Sequence, residues 1–593
     1  MHDEHDPLQP PGPDASAPDG AAASPPAEAV TPAPTGKPAK PAPQGLTAAE
    51  ARAWRDSLFA PDAPAEAAPV TAEGATAEAE PEPEQAPAPV ALEPFPQAVL
   101  VLGLGESGFA MARWCAAQGA KVTVADTRDE PPGLARLREQ VPDARFIAGA
   151  FGEELLEGCE AVYRSPGLAP AQVAAVVDAA RSRGIPCAGE LALFMRGLAQ
   201  LRAEQGYAPA VLAVTGTNGK TTVTSLTGQL VERSGRTVAV AGNIGPTLLD
   251  TLAQRRASGA LPQVWVLELS SFQLDAAEGF EPAAATVLNV TQDHLDWHGD
   301  MPAYAAAKTR VFGRHALMVL NREDPLVMRM LPEPVRLKGG KTEQRDHVTF
   351  GADMPQRPGD FGIEIVNGMA WLVRAHEADE TQKRRKDEEQ ELHVQRLMPA
   401  DALRIRGRHN AVNALAALAL ATAAGAPLGP MLYGLREYRG EPHRVEPVGL
   451  VDEVEFFDDS KGTNVGATVA ALTGLGTERK LVVILGGEGK GQDFTPLAGP
   501  VGRFARAVVL IGRDAPQIRE ALSATGVPLL DAGSMDDAVR MAAERAHAGD
   551  AVLMSPACAS FDMFRNYEHR ADVFRAAVQA LADAAGTSLE AGA

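Results

Sequence analysis

The run AVTGTNGKTT at 213–222 constrains the fold more than any other feature of the sequence. It follows an apolar segment typical of a buried strand and precedes a segment typical of a helix. Loop N–H groups and a helix N-terminus in this order form an anion site, and Lys220 is placed to reach the outer phosphates of a nucleotide. Thr221 is placed to hold Mg²⁺. Val214 stands where the common phosphate-loop pattern has its first glycine, and a glycine turn with a chance lysine is the structural alternative.

Apolar strand patterns alternate with amphipathic helix patterns from residue 98 to the end of the chain. Such alternation predicts α/β domains with parallel sheets, and 593 residues allow about three to five domains. We predict three: a Rossmann-like domain at 95–190, a central phosphate-loop ATPase-like domain at 191–435 and a Rossmann-like C-terminal domain at 436–593. A polar interruption at 377–391 is expected to be a solvated insertion.

Residues 1–94 are rich in Ala, Pro and Glu, and we expect this extension to be disordered because it has little apolar surface to bury. Within it, 47–59 has the spacing of a capping box followed by one apolar helix face. That segment is either a docking motif for another protein or a transient helix without a partner.

Charge and cysteine content exclude some classes of protein. The chain has 55 basic and 77 acidic residues, a formal net charge of −22, and residues 1–95 hold 4 basic and 16 acidic residues, or −12 of that total. A nucleic-acid partner would require a basic face and is not expected. Four scattered cysteines fit a reducing compartment. Because the N-terminus lacks a secretory pattern and no apolar run could span a bilayer, we expect a soluble cytoplasmic protein.

Polar residues follow the apolar strands next to the 213–222 loop. Glu268 ends one such strand, where a carboxylate is costly to bury unless it meets a cation or another partner. His294 follows the next strand and lies between two aspartates, which favours Mg²⁺ coordination over a purely structural histidine. Asn243 follows a third strand and is either a donor to a phosphate or substrate oxygen, or a turn residue.

The glycine run GLGESG at 103–108 follows a strand and precedes a helix, and Asp126 closes the next strand. This is the dinucleotide fingerprint, but physically it predicts only that a pyrophosphate docks on the helix N-terminus, as a UDP-sugar would. The RSPGL segment at 164–168 is either a further backbone anion contact or a simple turn.

The C-terminal block has three polar loops at predicted strand ends, where ligands of parallel sheets bind. One holds Asp459, a second holds Lys490 among glycines, and a third holds Ser560 at the start of a helix. A mobile lysine and helix N-terminal hydroxyls suit a small dicarboxylate. Arg444, just before this block, is either a nucleotide-phosphate ligand or a surface residue.

Together these motifs resemble the Mur ligase family over about 95–593. Within that family, the combination of GLGESG, TGTNGKTT, GNIG, ELSSFQL, DHLDWHG, DDSKGTN, GGEGKGQDF and SPACASFDMF is similar to the member that adds D-glutamate. The resemblance implies a cytoplasmic monomer that uses ATP to join D-glutamate to UDP-N-acetylmuramoyl-L-alanine through an acyl phosphate, in peptidoglycan precursor synthesis. It also implies domain closure, because the acyl phosphate must be kept from water.

The resemblance also assigns residues. Catalysis would depend on Lys220, His294 and Lys308. Two Mg²⁺ ions would be held by Thr221, Glu268, His294 and Lys308, the last as a carbamate. ATP would be bound by Gly216, Thr217, Asn218, Gly219, Lys220, Thr221, Thr222, Arg444 and Asp459.

The two remaining substrates are assigned in the same way. The UDP-linked substrate would contact Gly103, Gly105, Ser107, Gly108, Asp126, Thr127, Arg128, Ser165, Gly167 and Asn243. D-Glutamate would contact Thr463, Lys490, Ser560 and Tyr567. Tyr567 replaces a phenylalanine usual in the family, and Glu488 replaces an aspartate.

Two rival functions remain at this point. Another amide ligase of the same family, acting on a folate or cyanophycin-type substrate, would share the central motif. A Rossmann oxidoreductase would account for the glycine run at 103–108, but it would give no function to TGTNGKTT or to the polar loops of the C-terminal block. Residues 1–94 are a candidate for contacts with other proteins.

Overall fold

The computed structural model describes residues 93–277, 279–336, 342–377, 392–587 and 589. The predicted helix at 47–59 lies outside these residues, and so does the insertion at 377–391 apart from its first residue. No helix in the described part of the chain has the length and apolar character needed to cross a membrane.

The first sheet has five parallel strands in the order β3-β2-β1-β4-β5. Because β1 lies between β2 and β4, the loops after β1 and β4 meet at the edge where doubly wound sheets bind ligands. The strands are β1 Ala98–Leu102, β2 Lys121–Asp126, β3 Arg145–Ala148, β4 Ala161–Arg164 and β5 Cys187–Ala188. The helices are α1 Glu106–Ala117, α2 Leu134–Gln140, α3 Pro170–Ser182 and α4 Glu190–Gln205.

The central sheet has nine strands in the order β16-β15-β14-β13-β10-β9-β6-β8-β7. Its strands are parallel from β7 to β14, and β14, β15 and β16 run antiparallel to one another. The strands are β6 Ala210–Thr215, β7 Val238–Gly242, β8 Val264–Glu268, β9 Ala284–Val287, β10 Leu317–Asn321, β13 His347–Phe350, β14 Phe361–Val366, β15 Met369–Glu377 and β16 Leu392–Pro399, and a separate hairpin pairs β11 Val335–Arg336 with β12 Thr342–Glu343.

Helices cover both faces of the central sheet. They are α5 Lys220–Arg233, α6 Leu248–Ala257, α7 Ser271–Asp275, α8 Leu295–His298, α9 Met301–Thr309, α10 Pro325–Met328, α11 Arg408–Ala423 and α12 Leu428–Glu437. The apolar core on one face is continuous with the first domain through α4, where Phe194 packs edge-on against Trp265 with ring centroids 5.0 Å apart. On the other face α5 and α11 pack on the strands.

The C-terminal sheet has six strands in the order β17-β18-β22-β19-β20-β21, parallel except for β17. Its strands are β17 Glu446–Val451, β18 Val454–Asp458, β19 Leu481–Gly486, β20 Ala505–Ile511, β21 Leu529–Asp531 and β22 Ala551–Met554. Its helices are α13 Val465–Gly476, α14 Ala498–Phe504, α15 Ala515–Leu522, α16 Met535–Arg545 and α17 Tyr567–Ala585. Short 3-10 helices lie at Glu153–Leu156, Arg310–Phe312, Ala400–Ala402, Thr495–Leu497 and Ser523–Thr525.

These three layered α/β sheets confirm the predicted fold class. The exact domain limits stay predictions.

Candidate active site

The predicted phosphate loop joins β6 to α5, as its sequence pattern requires. Gly219 has a φ of +82°, and a Cβ there would lie 2.8 Å from the side-chain oxygen of Asn413, so both backbone conformation and space require glycine. The amine of Lys220 donates to the carbonyls of Gly216 and Thr217, each at 2.9 Å. Burial lowers the pKa of Lys220, partly opposed by Glu268.

Side chains that follow β9 hold this loop in shape. Asn289 accepts from the N–H of Asn218 at 2.8 Å and donates to its carbonyl at 3.1 Å. The hydroxyl of Thr217 lies 3.1 Å from that of Tyr304 and accepts from the N–H of Thr291 at 3.0 Å. Asn289 was not singled out from the sequence, although an asparagine at a strand end was the signal that singled out Asn243.

Glu268 ends β8 and is 1% exposed. One carboxylate oxygen accepts from the side-chain amide of Asn243 at 2.9 Å, whereas the other is buried without a hydrogen-bond partner. An ionised carboxylate oxygen left without a partner in the interior is costly, so this atom indicates a place for a cation.

Lys308 lies on α9 and is 1% exposed. Its amine donates to the carbonyl of Gly216 at 2.8 Å and lies 4.5 Å from the ring centroid of Tyr304, as their four-residue spacing predicts. Burial, followed by repulsion from Lys220, puts the pKa of Lys308 well below its usual range. Both effects shift the protonation equilibrium of Lys308 toward the free amine.

His294 immediately precedes α8 with a left-handed φ of 54°. Its Nε2 lies 3.7 Å from the carboxylate of Asp293, and its ring packs edge-on against Phe272 at 4.7 Å. Burial lowers the pKa of His294, Asp293 raises it, and the charges of Lys220 and Lys308 lower it further. A neutral imidazole is the form that binds a metal.

The C-terminal domain contacts the phosphate loop directly. Arg444 donates to the hydroxyl of Thr221 at 2.6 Å. The side-chain amide of Asn464 donates to Asn218 at 3.1 Å and to Asp293 at 3.2 Å.

Asp459 follows β18 and is buried beside Ser555, whose hydroxyl donates to it at 2.6 Å. Burial raises the pKa of Asp459 to about 7, against the lowering effects of Ser555 and Arg444. Among the described residues, one group of three His, Asp and Glu ligand atoms has metal-like spacing, and it is formed by His443, Glu446 and Asp458. Arg575 forms ion pairs with the carboxylates of Glu446 and Asp458, so these two carboxylates already have a cationic partner.

The three C-terminal loops converge at one sheet edge, as predicted. Lys490 has a left-handed φ of 52°, and its amine lies 5.9 Å from the ring of the exposed Phe561. Ser560 is buried, and Thr463 is half-buried in the loop after β18. Tyr567 begins α17, and its ring is covered by the amine of Lys461 at 3.8 Å from the centroid.

The glycine loop of the first domain is held by Asp126. Its carboxylate accepts from the N–H of Leu104 at 2.7 Å and from Arg128 at 2.8 Å. Burial would raise the pKa of Asp126, but these hydrogen bonds outweigh it and bring the pKa to about 2. The acid thus fixes the loop, and the neighbouring Thr127 and Arg128 are exposed.

The other predicted residues of this domain meet around the same loop. A Cβ on Gly108 would lie 1.9 Å from the carbonyl of Gly103, so α1 approaches the loop as only glycine allows. The hydroxyl of Ser165 donates to that carbonyl at 3.0 Å. Gly105 and Ser107 open α1 at half-buried positions, and Gly167 is exposed.

Comparison with known proteins fits this arrangement of domains and loops. Models of three Mur ligase domains match: the MurD-like N-terminal domain at 97–189, the middle domain at 214–421 and the glutamate ligase domain at 443–558. The chain belongs to the Mur ligase family of ATP-dependent ligases.

Individual relatives carry a more specific name. The chain is similar to the UDP-N-acetylmuramoylalanine–D-glutamate ligase of Albidiferax ferrireducens, at 71% identity over 83% of this chain and 98% of the relative. It is 60% identical to the enzyme of that name from Polaromonas sp., over 83% of this chain and 99% of the relative. A solved structure of the UDP-N-acetylmuramate-alanine ligase MurC from Thermotoga maritima is 19% identical, covers 82% of this chain and 99% of that chain, and has a TM-score of 0.46.

Proposed function

We propose that the chain joins D-glutamate to UDP-N-acetylmuramoyl-L-alanine while ATP is converted to ADP and phosphate. The observation that carries the proposal is the 2.6 Å contact between Arg444 of the C-terminal domain and Thr221 of the phosphate loop. This contact supports a single active site. In it, the proposed D-glutamate-binding loops of the C-terminal domain face the phosphate loop of the central domain. The identity of the substrates is supported by the names of the relatives at 60% and 71% identity.

The first step is attack of the L-alanyl carboxylate oxygen on the γ-phosphorus of ATP. The bond from that phosphorus to the bridging oxygen of ADP breaks, and an acyl phosphate forms. Lys220 neutralises the negative charge that develops on the transferred group, and the N-terminus of α5 would supply backbone N–H groups to the phosphates. Its contacts with loop carbonyls hold the side-chain nitrogen in place before ATP arrives.

Thr221, Glu268 and His294 are proposed to hold Mg²⁺. The buried, unpartnered oxygen of Glu268 supports this, since it lacks the partner that a cation would supply. The lowered pKa of His294 keeps its imidazole neutral. When bound, Mg²⁺ would supply positive charge to the phosphate oxygens.

Lys308 as an ammonium would repel a cation, so in that form it does not fit the metal site. Its buried position and lowered pKa favour the free amine, the form that reacts with carbon dioxide. The nitrogen attacks the carbon of CO₂ and loses a proton, which gives an anionic carbamate. In that form Lys308 would complete the proposed ligand set, which we expect to hold two ions.

In the second step the amine of D-glutamate attacks the acyl carbon, the bond from that carbon to the phosphate oxygen breaks, and phosphate leaves with the proton that the amine loses. Lys490, Thr463, Ser560 and Tyr567 are proposed to hold the two carboxylates of the amino acid. Lys490 lies in a glycine loop beside the exposed ring of Phe561, which supports an open entry for the amino acid. Asp459 would hold ATP from the same domain, together with Arg444.

The UDP moiety is proposed to lie on the first domain, against the N-terminus of α1 and the exposed Thr127 and Arg128. Asn243, which donates to Glu268 at 2.9 Å, would link that substrate to the metal site. We further propose that the protein is a cytoplasmic monomer and that 1–94 contacts other proteins. Deleting 1–94 should leave activity intact and change the proteins retained in a pull-down; loss of activity would contradict this role.

Phosphate release tests the function directly. The purified protein is given ATP, Mg²⁺ and UDP-N-acetylmuramoyl-L-alanine, with D-glutamate, L-glutamate or no amino acid. Release with D-glutamate alone is expected, and Lys220→Ala should abolish it. Release with another amino acid would keep the family mechanism but overturn the substrate, and absence of release with every acceptor would overturn the catalytic proposal.

A further inference from the structure

Arg164, the last residue of β4, contacts the central domain at a junction with Asp275, Trp297 and Arg310. Its guanidinium pairs with Asp275 at 2.9 Å and lies 5.7 Å from the ring centroid of Trp297. The side chain of Arg164 is only 12% exposed and that of Asp275 27%. Arg310 holds the other oxygen of Asp275 at 3.3 Å and also donates to its carbonyl, so Asp275 is fixed between two arginines.

This Arg164 junction touches three segments that carry proposed site residues. Arg164 directly precedes Ser165, whose hydroxyl holds the glycine loop of the first domain. Trp297 lies in α8, which begins next to His294. Asp275 ends α7, the helix that starts just after Glu268 and packs through Phe272 on Trp297 at 4.8 Å.

We propose that Arg164 is a positioning residue that fixes the UDP-binding loops relative to the loop of His294. This inference rests on the proposed function, in which one substrate spans both domains. Its UDP end would lie on the first domain, while its carboxylate must reach the phosphate loop of the second. A shift of about 1 Å between the two would misplace the attacking oxygen, and misplacement of that size costs about 10²-fold in rate.

Arginine suits this place because its planar group pairs with a carboxylate and lies against an aromatic ring at the same time. A partly buried pair of this kind is also less screened than an exposed one.

A second ion pair joins the same two domains and provides a matched control. Arg113 of α1 pairs with Asp250 of α6, and their side chains are 40% and 31% exposed. Neither lies in a loop that carries a proposed site residue. Arg113→Ala therefore removes an interdomain contact without touching the segments around the Arg164 junction.

The test measures KM for each substrate in Arg164→Ala, Arg164→Lys, Asp275→Asn and Arg113→Ala. We expect Arg164→Ala to raise KM for the UDP-linked substrate about fivefold or more. In the double variant Arg164→Ala/Asp275→Asn, the second substitution should raise this KM little further, because the two residues act as one pair. KM for D-glutamate, which is proposed to bind to the C-terminal domain, should stay unchanged. Arg164→Lys should recover part of the loss, and Arg113→Ala should match the wild type. An equal effect of Arg164→Ala and Arg113→Ala, or an equal rise in all three KM values, would overturn the inference.

Hydrogen exchange of the 291–300 segment tests the junction without any reaction. Exchange should become faster in Arg164→Ala and stay unchanged in Arg113→Ala. If the wild-type protein releases no phosphate, the proposed function fails, yet this measurement still decides whether Arg164 orders the loop of His294. Unchanged exchange in Arg164→Ala would contradict the positioning role even in an active enzyme.

Discussion

The guanidinium of Arg444 and the hydroxyl of Thr221 are joined by a 2.6 Å hydrogen bond, although the two residues lie in different domains. The residues on either side of Arg444, His443 and Val445, have left-handed φ values of 62° and 52°. The contact joins the C-terminal domain directly to the phosphate loop of the central domain.

Replacing Arg444 with lysine should weaken the use of ATP more than the use of the other substrates. Lysine keeps the charge but loses the fork of donors that would reach Thr221 and a phosphate oxygen together in the proposed site. We expect kcat/KM for ATP to fall about 10²-fold, the size typical of a lost transition-state donor. Steady-state phosphate release measures it. Arg479→Lys, which alters an ion pair with Glu455 in the same domain, serves as the control; equal losses in both variants would contradict the role.

Lys308 should need carbon dioxide for full activity. A carbamate forms only on a free amine, and burial lowers the pKa of Lys308 well below its usual range. Protein depleted of CO₂ should lose activity and regain it on addition of bicarbonate. Lys308→Arg, which retains a cation and cannot be carbamoylated, should lower kcat by about 10²-fold or more because a metal ligand is missing. Activity that ignores CO₂, together with no carbonyl signal from ¹³C-bicarbonate, would contradict carbamoylation.

Local features of the fold were predictable from the sequence, because strand and helix patterns act over short distances. The phosphate loop, the glycine loop at 103–108 and Glu268 at a strand end all lie where their patterns predict. Asn289 and Asn464 were not assigned a role, although each contacts the backbone or side chain of Asn218. Their contacts bring together segments 71 and 246 residues apart, and no local pattern encodes such a distance.

The hydrogen-bond partners of the polar site residues also had to come from the structure. Asp126 matches the position of a ribose-binding acid in the sequence, but its carboxylate is engaged by Leu104 and Arg128. The sequence gives the residue type at each position, whereas its partners depend on how separate loops pack. Arg164 is a second example: the sequence predicts no role for its side chain, but in the fold that side chain pairs with Asp275 of the central domain.

Arg570 should control the affinity for D-glutamate without touching it. It is fully buried on α17, and its two terminal nitrogens donate to the carbonyl of Cys558 at 3.1 Å and to that of Ser460 at 2.8 Å. These carbonyls belong to the loops that carry Ser560 and Thr463. Burial lowers the pKa of Arg570 to about 10. One side chain therefore sets the spacing between two of the three amino-acid loops.

We expect Arg570→Lys to raise KM for D-glutamate about tenfold, since one charged hydrogen bond of about 1.5 kcal/mol is lost. KM for ATP should change little. Arg506→Ala is the control, because it breaks an ion pair with Asp550 at the opposite end of the same sheet. The control should lower the melting temperature without changing KM for D-glutamate. If Arg570→Lys lowers the melting temperature but leaves KM for D-glutamate unchanged, Arg570 has only a packing role.

His409 should make the protein less stable in mild acid. The residue lies in the first turn of α11, and its ring packs against Gly474 of α13, where an added Cβ would lie 2.3 Å from Nδ1. That nitrogen is buried without a partner. Burial lowers the pKa of His409 from 6.5 to about 4, so the folded protein keeps the ring neutral.

The sign of the effect follows from where the proton binds. Between pH 6.5 and about 4 the unfolded chain takes up a proton that the folded chain refuses, so the free energy of unfolding decreases as the pH falls. The loss is at most about 3 kcal/mol for this group. Denaturant unfolding of the wild type and of His409→Gln, at about pH 7.5 and about pH 5, measures it. The variant should lose less stability on acidification, although His298, whose burial lowers its pKa to about 4, keeps part of the slope. Equal losses in the two proteins would show that the contact between α11 and α13 accommodates a charged ring.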